Sequence, residues 1–349
     1  MTELLEISEQ IISTHELRCG LEPLLTDYFG VPRKISKLDR RPYEYRSSFP
    51  IEELCVNASD GSNLRLIFKN LGGEALPDLA RRTKPQFICD PRREIETYRK
   101  ILSKYDLGTA TFYGALADDK TQRFWLFIEK VPGLELYQIG DIAVWQEAAR
   151  WLARMHTRFV DKVSELDGNA NLMNRDEDFY WMWMRRAEQF ADSGSSAEKQ
   201  ARVKDLAATF QKVVESIMKL PRTFIHGEFY ASNVLVQQIS EGLRVCPVDW
   251  EMAGVGSGIM DLAALTSGKW TEDEKTTIAM AYHSAIPNGI WSTTAEFLTA
   301  LDYCRLALAV QWLGWSLDWA PPAEHKQDWL KEAMRLTKKL SLLSDTAGS

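Results

Sequence analysis

Residues 224–233, with the sequence FIHGEFYASN, carry side chains whose types and spacing suit phosphoryl transfer. An acid, Glu228, stands five residues before Asn233, and His226 stands two residues before the acid. A loop with this spacing can aim a carboxylate at an attacking hydroxyl while the asparagine oxygen reaches a Mg²⁺ ion on the phosphates. The segment therefore predicts a loop that handles phosphate and magnesium.

A second acid, Asp249, follows a stretch that reads as two strands joined by a turn. The stretch is VLVQQISEGLRVCPVDW (residues 234–250), and Glu241-Gly242 mark its turn. A hairpin of this kind presents a carboxylate at the end of its second strand, beside the preceding loop. Because Mg²⁺ prefers oxygen ligands and needs only one or two protein groups besides phosphates, Asp249 is a candidate metal ligand.

The first part of the chain is rich in predicted strands. Residues 3–19 and 20–30 have helical spacing, and the β-forming runs IEELCV and LRLIFKN flank a turn at residues 58–61. Pro91 starts the amphipathic helix REIETYRKIL, and ATFYGAL and RFWLFIEKV predict two further strands.

After Val131-Pro132-Gly133 the pattern becomes mostly helical, as over residues 141–160. The predicted fold class is therefore α+β. A small, β-rich N-terminal lobe spans residues 1–131, with a helical extension over 1–35, and a larger, mainly helical lobe spans 132–349. Clefts between two such lobes are common ligand sites.

The motifs of this chain resemble those of the aminoglycoside phosphotransferase and choline kinase family. The family signatures look like His-Gly-Asp-x-x-x-x-Asn, then Ile-Asp-Trp/Phe-Glu, a Gly and Asp-Leu-Ala. This chain has HGEFYASN, VDWEMAG and Asp261-Leu262-Ala263. The resemblance implies a two-lobed, protein-kinase-like fold over nearly the whole chain, with ATP as phosphate donor and Mg²⁺ as the metal.

The resemblance also implies a role for each matching residue. Asn233 and Asp249 correspond to the metal ligands. Glu228 occupies the position of the catalytic base, and His226 corresponds to a residue that braces the loop. Asp261 corresponds to an inner acid that ties loop backbone together. The alternative for Asp261 is an acid near a helix N-terminus that is stabilised by the helix dipole.

One position departs from the family pattern, because Glu228 stands where the family has Asp. The extra methylene displaces the carboxylate by roughly 1 Å, and such a displacement can cost about a hundredfold in rate. Phosphoryl transfer depends mainly on positioning and charge neutralisation, and a backbone adjustment can restore the geometry. We therefore expect activity to be retained.

The N-terminal lobe must supply a lysine for the phosphates, paired with a glutamate on the next helix. Lys69 ends the run LRLIFK, and Glu94 lies in the first turns of the helix that Pro91 starts. We predict that these two residues pair. The alternatives are a solvent-facing Lys69 and Glu96 as the partner, but two residues apart the glutamates lie on different helix faces.

Further nucleotide contacts are predicted from position. Ser47-Ser48-Phe49 precedes the first hairpin strand, where the loop that covers the phosphates should lie, so Ser48 is a candidate. The joint IEKVPG matches the family's hinge, and the resemblance implies that backbone groups of Glu129 and Val131 bind the adenine edge. Since these contacts use backbone, GTP stays open as the donor.

Composition limits the class of partner. The 349 residues are 45% hydrophobic and 26% charged, and the net charge of −7 argues against a nucleic-acid-binding surface. The five cysteines have no metal-ligand spacing and the N-terminus has no signal-peptide pattern, so we expect a soluble, cytoplasmic protein with free thiols. The apolar tract 306–319 is too short to span a membrane and predicts a buried helix. Nothing indicates the oligomeric state.

The leading hypothesis is an ATP- and Mg²⁺-dependent phosphotransferase that acts on a hydroxyl of a small molecule. Aminoglycosides, choline-like amines, sugars and secondary metabolites stay open as acceptors. Trp181-Met182-Trp183-Met184 predicts either an acceptor pocket or a helix core. A second hypothesis is a pseudokinase-like module that binds nucleotide without transfer. A protein kinase ranks last, because Asp261 follows Asp249 by only twelve residues and leaves no room for an activation segment.

Overall fold

A computed structural model describes residues 12–43, 49–76, 83–166, 171–287, 289–315 and 327–342. The first part of the chain forms one antiparallel sheet of five strands. These strands are β1 (Ile35–Pro42), β2 (Ile51–Ala58), β3 (Asn63–Asn70), β4 (Phe112–Asp118) and β5 (Arg123–Glu129). Their order in the sheet is β1-β2-β3-β5-β4. The predicted hairpin and the two further predicted strands are confirmed.

A helix packs on each face of this sheet. The first, α1 (Thr14–Phe29), begins after Ser13, whose hydroxyl accepts the Glu16 N–H at 3.1 Å. Its leucines at four-residue spacing pack against Phe68 of β3 and its neighbours on that face. Side chains alternate along a strand, so Lys69 lies on the opposite face. That face is covered by α2 (Pro91–Lys100), which confirms the helix predicted to start at Pro91.

The start of the chain differs from the sequence-based expectation. The segments predicted as two helices contain one continuous helix from Thr14 to Phe29, and residues 1–11 lie outside the described residues. The sequence pattern also misses β1, where the helical extension was predicted to end. Only Ile35 and Leu38 of this edge strand are buried, so its mostly polar sequence has no clear period of two.

The predicted joint at Val131-Pro132-Gly133 connects the five-stranded sheet to a second sheet. Its strands are β6 (Leu134–Glu135), β9 (Val234–Ile239) and β10 (Gly242–Pro247), in the order β10-β9-β6. Gly133 lies so close to β9 that a Cβ atom would be 2.5 Å from the carbonyl oxygen of Val236. Only glycine fits there. The second predicted hairpin is therefore confirmed, and the joint packs directly on it.

A third, small sheet holds the segments that carry Glu228 and Asp249. Its strands are β7 (Met173–Asn174), β8 (Arg222–Ile225) and β11 (Gly254–Ser257), in the order β7-β11-β8. β8 leads into the Glu228 loop and β11 follows the Asp249 turn, so their antiparallel pairing brings the two segments together. Strands this short show no periodic pattern in the sequence, and none of the three was predicted.

Helices form most of the remaining chain and share one apolar core. They are α3 (Ile142–Phe159), α4 (Val163–Leu166), α5 (Glu177–Asp192), α6 (Ala197–Met218), α7 (Ile259–Leu265), α8 (Glu272–His283), α9 (Thr294–Trp315) and α10 (Trp329–Lys339). α3 confirms the helix predicted over residues 141–160. α9 is buried along most of its length, which confirms the buried-helix prediction as far as Trp315.

The architecture is α+β, with a β-sheet region first and a mainly helical part after it, as predicted. Within the described ranges, no helix is both long enough and apolar enough to cross a membrane.

Candidate active site

Lys69 forms a buried ionic bridge at the end of β3. Its Nζ lies 2.7 and 2.9 Å from the two carboxylate oxygens of Glu94 on α2, and 2.8 Å from Oδ1 of Asp249. Only 4% of the Lys69 side chain is exposed, so the solvent-facing alternative is wrong. Burial opposes the charge of Lys69, but Asp249 and Glu94 more than offset this effect and raise the pKa of the ammonium. Lys69 is therefore protonated.

α2 determines which glutamate reaches the lysine. Glu94 lies in its first turn and points to β3, whereas Glu96 pairs with Arg99 and Lys100 on the helix surface. Glu94 also accepts the backbone N–H of Trp250 at 3.3 Å. The structure thus brings Glu94, and not Glu96, to Lys69, and Glu94 ties α2 to the turn that carries Asp249.

Asp249 has a left-handed backbone conformation, with φ 66° and ψ 62°. Residues other than glycine rarely adopt it, and such strain persists only where the surroundings fix it, often at functional sites. Here the next residue, Trp250, fixes the turn by stacking on Phe224, with ring centroids 5.5 Å apart. Although burial opposes ionisation, Lys69 lowers the pKa of Asp249, which is therefore a carboxylate.

Glu228 is half-buried, and its carboxylate makes no hydrogen bond to any residue that the structure describes. Burial raises the pKa of Glu228 to about 8, and the nearby carboxylates of Glu251 and Asp249 add to the shift. A carboxyl group with a pKa near neutrality is well matched to general acid–base chemistry. The side chain is thus free to meet a reacting group.

Asn233 and Asp249 supply oxygen atoms that suit a magnesium ion. Asn233 uses Nδ2 to donate to the backbone carbonyl of Glu228 at 3.0 Å, and Asp249 uses Oδ1 for Lys69. One hard oxygen remains on each side chain, Oδ1 of Asn233 and Oδ2 of Asp249. The described residues contain no cluster of three or more His, Cys, Asp or Glu that could hold a metal alone. Two protein oxygens match Mg²⁺ when phosphates complete its coordination.

Asp261 holds the backbone of the Glu228 loop. Its Oδ2 accepts the N–H of His226 at 2.7 Å and its Oδ1 accepts the N–H of Gly227 at 2.8 Å. His156, from α3, lies 3.3 Å from Oδ2. Burial raises the pKa of a carboxyl, but these hydrogen bonds outweigh it and lower the pKa of Asp261. These contacts correspond to the first of the two interpretations of Asp261, an inner acid that ties loop backbone together.

His226 braces the same loop through its ring. Nε2 lies 2.9 Å from the carbonyl oxygen of Val248, and Nδ1 accepts the N–H of Glu228 at 3.3 Å. Burial lowers the pKa of His226, so the ring is neutral and this network assigns its proton to Nε2. His226 therefore connects the Glu228 loop to the strand end before Asp249.

The hinge candidates lie at the end of β5. The Glu129 carboxylate pairs with Arg244 at 2.7 and 2.8 Å. The backbone N–H of Glu129 donates to the Thr111 carbonyl at 2.8 Å. The Glu129 side chain is therefore committed to the fold. The backbone N–H of Val131 has no acceptor within the described ranges and stays available for a ligand. Ser48 lies outside the described residues.

Two buried cations near the site were not predicted. Lys84 pairs with Glu251 at 2.5 Å, although the two residues are 167 positions apart. Arg175, which is 2% exposed, donates to the carbonyl of Gly227 at 3.0 Å from beneath the loop. A Cβ atom on Gly227 would lie 2.5 Å from that guanidinium, so the glycine makes room for it. Neither cation lies at a characteristic distance along the sequence from the motifs, so its place at the site could not be predicted.

The aromatic run on α5 belongs to the core. Trp183 and Met184 are buried, and Trp183 packs against Phe87 with ring centroids 5.3 Å apart. For these two residues the helix-core alternative is confirmed. An aromatic side chain that does lie at the site is Tyr230, two residues after Glu228, and it packs on Trp312 at 5.4 Å.

Comparisons with known proteins agree with this geometry. Residues 91–297, more than half of the chain, match the sequence model of the Phosphotransferase enzyme family. No curated protein sequence matches the chain.

Solved structures resemble it over nearly the whole length. Plasmodium vivax ethanolamine kinase has a TM-score of 0.58 at 11% identity, covering 96% of this chain and 90% of that chain. A choline kinase from Cryptosporidium parvum Iowa II has 0.58 at 14% identity, covering 95% of each chain. A GDP complex of an aminoglycoside 2′-phosphotransferase has 0.57 at 12% identity, covering 93% and 97%. These similarities concern the fold, which is protein-kinase-like, and together with the sequence match they establish that the chain belongs to the Phosphotransferase enzyme family.

Proposed function

We propose that this member of the family transfers the γ-phosphoryl group of ATP to a hydroxyl group of a small molecule. The observation that carries the proposal is the buried Lys69 bridge to Glu94 and Asp249, next to the loop of Glu228, whose carboxylate has no hydrogen bond to the described residues. Phosphoryl transfer requires mainly charge neutralisation and positioning, and this arrangement can supply both.

Each residue has one task in the proposed reaction. Lys69 binds phosphate oxygens, and Glu94 keeps its ammonium in place. Oδ1 of Asn233 and Oδ2 of Asp249 would hold Mg²⁺, which would neutralise part of the negative charge of the phosphates. Glu228 accepts the proton of the acceptor hydroxyl while the hydroxyl oxygen bonds to the γ-phosphorus. The bond from that phosphorus to the bridging oxygen breaks, and ADP leaves.

The glutamate in place of aspartate is compatible with this mechanism. The loop backbone around Glu228 is fixed by Asp261, His226 and Asn233. The Glu228 carboxylate itself has no hydrogen bond to the described residues, so its torsions can adjust to the acceptor. A fixed backbone with a free side chain is one way to absorb the extra methylene.

A small acceptor is favoured over a protein by the length of chain after Asp249. The twelve residues that follow Asp249, up to Asp261, form a tight turn, β11 and the first turn of α7. They leave no extended segment on which a peptide could lie. For the donor, the N–H of Val131, which has no acceptor among the described residues, supports a base bound at the hinge, and ATP is the donor we propose.

The test is transfer of label from γ-labelled ATP, with Mg²⁺, to a panel of amino alcohols, aminoglycosides and sugars. We expect the wild type to label at least one class, and Glu228→Gln to lower turnover by about 10²–10⁴-fold while still binding nucleotide. Tight nucleotide binding without transfer to any acceptor would favour the pseudokinase-like module instead. Unchanged turnover of Glu228→Gln would remove this residue from the role of base.

A further inference from the structure

Lys84 reaches the turn after Asp249 in the same way as Lys69. It lies between β3 and α2, and its Nζ is 2.5 Å from Oε2 of Glu251. Only 3% of its side chain is exposed, close to the 4% of Lys69. Two lysines from the first part of the chain therefore contact the two carboxylates of one three-residue turn, Asp249 to Glu251.

The turn is anchored without this lysine. Arg93 of α2 donates to the backbone carbonyl of Glu251 at 3.0 Å, and the ring of Trp250 stacks on Phe224. A buried ion pair contributes little net stability compared with apolar side chains of the same volume. A purely structural role therefore does not explain why a lysine stands at position 84.

Lys84 adds a second buried positive charge, besides Lys69, beside the acids of the candidate site. It pairs with Glu251 and acts electrostatically on Asp249 and Glu228, so it reduces the repulsion that these acids would exert on a bound phosphate. Lys84 also lies over the ring of Phe49, 4.8 Å from its centre. Phe49 is the last residue of the segment Ser47-Ser48-Phe49, where the sequence predicts the loop that covers the phosphates.

We propose that Lys84 is a second phosphate-binding lysine. Glu251 holds its ammonium while no nucleotide is bound, and Lys84 moves onto the phosphates of the donor when the nucleotide enters. A lysine ammonium is a compact charge on a flexible stem, so it can exchange one anion for another. The inference rests on the proposed function and adds a residue to its nucleotide site. Lys69 is just as buried, so burial does not keep Lys84 from this role.

The test compares the affinities of ATP and adenosine for the wild type, Lys84→Met and Lys100→Met. Adenosine carries no phosphate, so its affinity reports the base and ribose contacts alone. We expect Lys84→Met to weaken ATP about 10- to 100-fold, the usual effect of losing a charged hydrogen bond, and to leave adenosine unchanged. Lys100→Met is the matched control, because Lys100 is ion-paired with Glu96 at 3.0 Å on the surface of α2. It should change neither affinity.

A second pair of variants covers the case in which Lys84→Met does not fold. Glu251→Gln is compared with the double variant Lys84→Met/Glu251→Gln. The double variant removes both charges of the pair, so neither is left buried without its partner. Weaker ATP binding in the double variant, with adenosine unchanged, supports the inference. Equal ATP affinity, or equal losses for ATP and adenosine, overturns it.

Lys69→Met separates this inference from the proposed function. If Lys69→Met weakens ATP and Lys84→Met does not, only the role of Lys84 fails. If neither variant changes the affinity for ATP, the proposed nucleotide site fails and the role of Lys84 fails with it.

Discussion

The two sides of the candidate active site handle charge in opposite ways. On the side proposed to bind nucleotide, Lys69 has carboxylate oxygens of Glu94 and Asp249 within 2.9 Å, so every charged group of the bridge has an ion-pair partner before any ligand binds. The two carboxylates outnumber the ammonium, and burial raises the pKa of Glu94 to about 7. On the acceptor side, Glu228 has no hydrogen bond from its carboxylate to the described residues, and its pKa is raised to about 8. The first arrangement loses stability when one of its partners is removed, whereas the second lowers stability as it stands.

This difference indicates where function rather than folding has set the chemistry. A group that is destabilising in the free protein and well matched to proton transfer is expected at a catalytic position. The comparison predicts opposite signs for changes on the two sides. Removing a partner on the nucleotide side should destabilise the protein, and neutralising Glu228 should stabilise it.

The largest effect is expected for Lys69→Met. The variant leaves Glu94 and Asp249 buried without their cation, which should lower the free energy of unfolding by about 3–5 kcal/mol. Denaturant unfolding measures this change. Lys100→Met is the control and should cost at most about 1 kcal/mol, because Lys100 is exposed and Glu96 keeps its pairing with Arg99. Similar losses of unfolding free energy for the two variants would contradict a buried bridge in which Lys69 pairs with Glu94 and Asp249.

A smaller loss is expected for Asp261→Asn. The amide keeps one acceptor oxygen, so the N–H of His226 or of Gly227 loses its partner, at a cost of about 1–3 kcal/mol. Turnover should fall with stability because the Glu228 loop loses its support. Thermal unfolding and phosphoryl transfer are measured together, with Asp205→Asn, an exposed acid on α6, as control. Full activity of Asp261→Asn would show that the loop does not depend on this residue.

The smallest effect, and one of opposite sign, is expected for the stability of Glu228→Gln. The pKa of Glu228 is about 8 in the folded protein and near its usual 4.5 in the unfolded chain. The stabilisation that comes from the proton on Glu228 is therefore fully present below pH 4.5, and it is lost as the pH rises towards 8. Glu228→Gln should match the wild type below pH 4.5 and be more stable by about 1–2 kcal/mol at pH 7 to 8, which is less than the full pKa shift implies because solvent screens the half-buried carboxylate. Unfolding curves across this pH range give the difference in unfolding free energy between the variant and the wild type. A difference that does not vary with pH would contradict the raised pKa of Glu228.

Sequence reasoning succeeded where the chemistry has local spacing. The five residues from Glu228 to Asn233 and the strand end before Asp249 are readable because each motif lies in one short segment. Lys69 and Glu94 were also paired correctly, since a strand and the helix after it limit which side chains can meet.

Sequence reasoning failed where contacts join distant segments without a pattern. Lys84 and Glu251 are 167 positions apart, and Arg175 lies between a strand of only two residues, β7, and the start of α5. For Asp261, the sequence left two interpretations open, because a buried acid that binds loop N–H groups and an acid at a helix start look the same in one dimension. Three-dimensional contacts were needed to decide between them.

The nucleotide site that we propose at Lys69 and Asp249 can be tested by the melting temperature with and without Mg·ATP. The wild type and Asp249→Ala are compared, each with magnesium and with a chelator. Ligand at a hundred times its dissociation constant should stabilise the wild type by about 2.7 kcal/mol, only with magnesium, and should leave Asp249→Ala unshifted. If the melting temperature of the wild type responds to no nucleotide, or if that of Asp249→Ala rises equally, there is no nucleotide site at Lys69 and Asp249.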